Sequence, residues 1–154
     1  MDTVVIFGAR YLFLAVPLGA LVFFLKQTRS KQKEIVIFSI ISLPLIYVLA
    51  LLAGHLYFDA RPFIVGHFTP LIPSSSDNGF PSDHMLLVSA VASIVVCFNR
   101  RVGIILWSIA VCVGFSRVYV GVHHLVDIFG SAGISLAVTS FVQRLIIKNI
   151  DLNF

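Results

Sequence analysis

The sequence predicts an all-α protein, a polytopic membrane helix bundle of about five transmembrane helices. Three observations predict it. The 154 residues are 58% hydrophobic and only 12% charged. Mean hydropathy is +1.00. The apolar residues also gather into runs near the roughly 20 residues that a helix needs to cross a hydrocarbon core about 30 Å thick. The length fits one domain, 1–154.

The runs are 4–25, 35–58, 81–98, 102–120 and 125–147. The first is read as a retained helix and not a signal peptide. Only Asp2 is charged before Arg10, so no basic leader precedes the run, and no clear small-residue cleavage site follows it. The third run is the weakest, because its purely apolar part starts at Met85. Cys97 and Cys112 both fall inside spans, where they are expected to act as small packing groups and not as a disulfide framework.

A net charge of +4 invites a nucleic-acid reading, but its distribution argues against one. Lys26, Arg29, Lys31 and Lys33 crowd one connection, Arg100 and Arg101 a second, and Arg144 and Lys148 the C-terminal end. Positive charge in alternate connections is the positive-inside pattern. It places those segments and the C-terminus in the cytoplasm and the N-terminus outside, in an integral plasma membrane. The basic loop can also touch anionic headgroups.

The other connections then face outward: 59–83, broken by Pro62, Pro70, Pro73, Gly79 and Pro81, and roughly 118–124. His55, His67, His84, His123 and His124 all fall on that side, as do Asp59, Asp77, Asp83, Asp127, Arg61 and Arg117. Ionisable groups at membrane depth face a bundle interior or a wet cavity and mark a functional site. His123 and Asp127, four residues apart, share a helix face. Asp127 can fix the tautomer of His123 and leave one ring nitrogen free to attack. Ser82 precedes His84 as a helix-capping residue, and a helix N-terminus receives anions. Two arginines, two histidines and that helix start describe a phosphate pocket.

These residues resemble the three-part signature of the type-2 phosphatidic-acid-phosphatase superfamily, which includes lipid phosphatases and vanadium haloperoxidases. The signature reads Lys-x6-Arg-Pro, Pro-Ser-Gly-His and Ser-Arg-x5-His-x3-Asp. The chain has Arg61-Pro62, then Pro81-Ser82-Asp83-His84, then Ser116-Arg117, His123 and Asp127, in the same order. "LYFDARPF", "FPSDH" and "GFSRVYVGVHHLVDIFGS" look like the bacterial undecaprenyl-diphosphate phosphatases of the bacitracin-resistance type. The likeness covers roughly 55–133.

The resemblance implies a lipid diphosphate as substrate, with no cofactor and no metal. It implies His123 as nucleophile, Asp127 as its partner, His84 as acid and then base, and Arg61, Arg117 and Ser82 as phosphate ligands. The chain departs from the pattern at Gly54, where the family has lysine, and at Asp83, where it has glycine. His55 is a weak substitute for the lysine, and the Asp83 side chain is expected to turn away from the anion. With one span fewer than many members, either the N-terminal part is trimmed or 59–83 holds a short non-spanning helix.

His124 is expected to face headgroups or pack, and His67 and Asp77 to be solvated. Phe63, Phe68 and Phe80 read as interfacial aromatics in preference to a tail entrance. Rival readings are another lipid phosphate (phosphatidylglycerol phosphate or phosphatidic acid), a transporter with a His/Asp relay, a zinc site at His123, Asp127 and His84, and an inactive scaffold. Oligomeric state is not legible in the sequence.

Overall fold

The computed structural model describes residues 2–149. The positions from 150 onward, which the single-domain and cytoplasmic C-terminus expectations include, lie outside the described residues.

The helices run in the order α1 (Asp2–Tyr11), α2 (Ala15–Leu25), α3 (Arg29–Leu56), α4 (Pro62–Val65), α5 (Asp83–Phe98), α6 (Arg100–Tyr119) and α7 (Leu125–Asn149). A 3-10 turn, Leu12–Leu14, joins α1 to α2, so the first apolar run forms one broken span. Asp2–Leu25, Arg29–Leu56, Arg100–Tyr119 and Leu125–Ile146 are long and apolar enough to cross a membrane. α5 is apolar but shorter, at 16 residues. The chain is an integral membrane protein. The short α4 realises the non-spanning helix expected within 59–83.

Local chemistry sets the ends. Thr28 caps α3, its Oγ1 accepting from the Lys31 N–H at 3.4 Å, and α3 therefore starts six residues before the apolar run does. Asn99 ends α5 and caps α6, its Oδ1 accepting from the Val102 N–H at 3.1 Å. Proline opens α4 at Pro62, where a missing N–H is no loss.

α5 is short because protein, not lipid, surrounds it. One of its faces, Met85, Val88, Ala92 and Val95, packs with Leu106, Ala110 and Val113 of α6 and Ile128 of α7. The other, Leu86, Ala90 and Ile94, packs with Phe38, Ile46 and Ala50 of α3 and Val138 and Val142 of α7. Small hydroxyl residues bring α5 and α7 together. Ser89 Oγ and Ser135 Oγ lie 2.8 Å apart, and Ser131 Oγ donates to the Ser82 carbonyl at 2.9 Å. Small residues let helix backbones approach closely in membranes, and here the approach aligns the starts of α5 and α7. Large apolar side chains such as Leu18, Ile40, Leu56, Ile105 and Phe129 are exposed on the outer faces, as lipid contact requires. Cys97 is half-buried, its thiol directed to the Ser93 carbonyl. Cys112, expected to pack, is instead exposed on α6.

Candidate active site

The six expected site residues come from four segments that meet where α3 and α6 end and α5 and α7 begin. His123 and Asp127 are buried, and His123 Nδ1 lies 3.1 Å from Asp127 Oδ2. The same oxygen accepts the His124 backbone N–H at 2.9 Å, which fixes the carboxylate at the start of α7. A carboxylate on Nδ1 makes that nitrogen the proton-bearing one and leaves Nε2 with its lone pair. Burial holds the His123 imidazole below its ordinary value of 6.5, and the charges of Arg117 and Arg61 add to the effect while Asp127 opposes it. The ring is accordingly neutral near pH 7.

Arg61 is buried, with Nη1 3.4 Å from His123 Nε2. Arg61 Nη1 also donates to the Val122 carbonyl at 3.0 Å. Nε and Nη2 both donate to Asp77 Oδ1, at 3.0 and 2.9 Å. Asp77 was expected to be solvated. It is exposed, yet its contacts with Ser75 and Arg61 hold its carboxyl below the usual range.

Arg117, on the last turn of α6, donates from Nη1 to the Ala9 carbonyl of α1 at 3.4 Å. The first helix, which carries little of the family likeness, therefore helps to seat a site residue. His84, one residue into α5, packs edge-on against Phe13 with ring centroids 4.8 Å apart and lies within electrostatic reach of Arg117, His123 and Arg61. Ser82 is buried, and its N–H donates to the Asp127 carbonyl at 3.3 Å. Among the described residues, buried polar atoms without a hydrogen-bond partner include Ser82 Oγ, Arg117 Nε and Asp127 Oδ1. Buried orphans of this kind call for an explanation, and the first two are donors: Ser82 Oγ at the start of α5, where a helix N-terminus receives anions, and Arg117 Nε on the last turn of α6.

The position of the family lysine has a steric answer. A Cβ on Gly54 would stand 2.9 Å from the Phe80 carbonyl oxygen and 3.3 Å from Pro81 Cδ. The segment that carries Ser82 and His84 thus lies directly on the Gly54 backbone. His55, offered as a substitute, is exposed. Asp83 is also exposed, in the first turn of α5 where a carboxylate suits the helix dipole. It does not withdraw fully, since its charge reaches His84 and Arg117.

His124 has a partner that the sequence did not suggest. Its Nδ1 lies 2.9 Å from Asp59 Oδ2. Asn78 was missed as well. It accepts from the N–H groups of Asp59 and Phe80 and donates to the carbonyls of Gly54 and Tyr57, stapling the long loop shut. An Asn-Gly pair before Phe80 was the available signal. Phe80 packs against Tyr57, their centroids 5.0 Å apart, and Phe68 lies against Gly121, whose φ of +82° suits glycine. The zinc trio does not converge as imagined. The ligand atoms that gather, within 4.8 Å of one another, belong to Asp59, His124 and Asp127. His124 joins the three, its Nδ1 lying 2.9 Å from Asp59 Oδ2 and its backbone N–H donating to Asp127 Oδ2 at 2.9 Å.

Comparison with known proteins extends the geometry. Residues 35–151 match the model of the PAP2 superfamily. The bacitracin transport permease protein BcrC of Bacillus licheniformis is 32% identical over 141 residues, covering 91% of this chain and 68% of that protein. Undecaprenyl-diphosphatase BcrC of Bacillus subtilis is 30% identical over 141 residues, covering 90% and 71%. The crystal structure of Aquifex aeolicus LpxE superposes with a TM-score of 0.72 at 23% identity, covering 93% of this chain and 85% of that one. Fold, site and relatives together define an integral-membrane lipid phosphatase. The chain belongs to the PAP2 superfamily.

Proposed function

We propose that this protein removes the terminal phosphate of undecaprenyl diphosphate, as a single phosphatase domain in a bacterial plasma membrane, through a phosphohistidine. The observation that carries the reading is the His123–Asp127 contact with Arg61 beside the free Nε2. His123 Nε2 attacks the terminal phosphorus. The bond from that phosphorus to the bridging oxygen breaks, and His84 gives the departing lipid phosphate a proton. His84 then takes a proton from water, which attacks the phosphorus, breaks the P–N bond and releases phosphate. Arg61, Arg117 and Ser82 hold the phosphoryl oxygens, and the guanidinium forks suit the charge spread over three equatorial oxygens. Asp127 stabilises the imidazolium that forms.

An apolar cleft on the bundle supports the reading of a lipid substrate. A cleft of about 550 Å³ between α2, α3 and α5 is lined by Pro17, Phe24, Ile40, Pro44, Val91 and Val95. Val91 lies on the same face of α5 as His84 and about 10 Å further along the axis. The basic connections at the opposite end favour a site that faces outward, with the N-terminus on the same side.

Purified protein assayed side by side on undecaprenyl diphosphate, phosphatidylglycerol phosphate and phosphatidic acid tests the substrate. The highest kcat/KM is expected on the diphosphate. A clear preference for either glycerolipid would reassign the substrate while leaving the chemistry in place.

A further inference from the structure

Asp59 and His124 occupy positions that the first and third motifs leave unspecified, yet each adjoins a residue of the proposed reaction. Asp59 stands two residues before Arg61, and His124 directly follows His123. Two cross-links tie the segment 59–61 to the segment 122–124. One is Arg61 Nη1 to the Val122 carbonyl at 3.0 Å, and the other is Asp59 Oδ2 to His124 Nδ1 at 2.9 Å.

Both ends of the second link are themselves anchored. The Asp59 N–H donates to Asn78 Oδ1 at 2.9 Å, and the Asp59 carbonyl accepts from the Gly79 N–H at 2.8 Å. The His124 N–H donates to Asp127 Oδ2, the oxygen that also holds His123. Loop, arginine, nucleophile and carboxylate therefore form one closed hydrogen-bonded circuit, and the Asp59–His124 contact is its clasp. The pair is partly buried, with side chains 18% and 38% exposed, so water competes with the contact only in part.

We propose that Asp59 and His124 are a positioning pair that sets the approach of the Arg61 guanidinium to His123 Nε2, now 3.4 Å. The proposal rests on the reading of His123 as nucleophile. Displacements of about 1 Å from attack geometry can lower rates by about 10²-fold. Without the clasp Arg61 keeps Asp77 and Val122, so phosphate is still bound while its alignment with Nε2 loosens. The signature is a fall in kcat with little change in KM.

The test uses the full chain in detergent with undecaprenyl diphosphate, with thermal unfolding followed in parallel. Asp59→Ala and His124→Ala are each expected to lower kcat by about tenfold with KM within about twofold, and the double variant to be no worse than the poorer single, because the two residues act as a unit. The amide nitrogen of asparagine falls where Nδ1 stood. His124→Asn should therefore recover most of kcat, whereas His124→Gln, whose amide reaches past Asp59, should not.

Wild-type kcat in His124→Ala, equal rates in His124→Asn and His124→Gln, or losses that merely track lowered unfolding temperature would each overturn the pair. So would wild-type activity that is lost in chelator and restored by a divalent cation, which would reassign Asp59, His124 and Asp127 to a metal. A wild type inert on every lipid phosphate would overturn the phosphatase reading and the pair with it. An active wild type with indifferent variants would overturn the pair alone.

Discussion

His123 Nδ1 lies 3.1 Å from Asp127 Oδ2, one helical turn away, and the same oxygen accepts the His124 N–H at 2.9 Å. The carboxylate thus receives two donors on a single oxygen, and both come from the short segment that precedes α7. An asparagine at 127 can present its amide N–H to His123 and reverse the tautomer. Asp127→Asn is expected to lower kcat by at least about 10²-fold, since the equivalent change in a serine-protease triad costs about 10⁴. Thermal unfolding of the variant should stay near wild type, and an unaltered rate would remove Asp127 from the mechanism.

The depressed His123 basicity fixes the sign of a pH effect. In the proposed mechanism the attacking ring is the neutral one, and burial, with the nearby guanidinium charges of Arg117 and Arg61, favours that neutral form. As pH falls through 6.5, an ordinary histidine would gain its proton, and this one should not yet do so. The acid limb of kcat/KM is therefore expected below pH 6.5. A limb at or above 6.5 would mean that Asp127 outweighs burial.

Restoring the family lysine should harm the protein. Gly54→Lys places a Cβ 2.9 Å from the Phe80 carbonyl, on the backbone that leads into Ser82 and His84. Overpacking of this kind typically costs about 1–3 kcal/mol. A lower unfolding temperature and a lower kcat are expected together. A gain in activity at unchanged stability would show that the backbone yields and that the pocket lacks a cation.

The sequence revealed the fold through hydropathy, because lipid imposes apolar runs of fixed length. Span ends were misjudged where polar residues cap helices: Thr28 starts α3 well before Ile35. The six candidate residues could be picked out because their spacing matches a known signature, and the structure brings them to one end of the bundle; their roles remain part of the proposal. The residues that organise them were not legible. Asp59, Asp77, Asn78 and Ala9 act through loop and backbone contacts across wide sequence separations, and no periodicity encodes such contacts. The serine ladder between α5 and α7 was hidden for the opposite reason, since Ser89, Ser131 and Ser135 look unremarkable in apolar runs.

The most direct test of the central claim is phosphate release from undecaprenyl diphosphate by the purified protein in excess chelator, with His123→Ala and His84→Ala beside it. Release by wild type that is blocked by vanadate is expected. His123→Ala should be inert, and His84→Ala should be slowed by about 10²–10⁴-fold, the range for a lost general acid–base. Wild-type rates in folded His123→Ala, or a wild type silenced by chelator, would contradict the account.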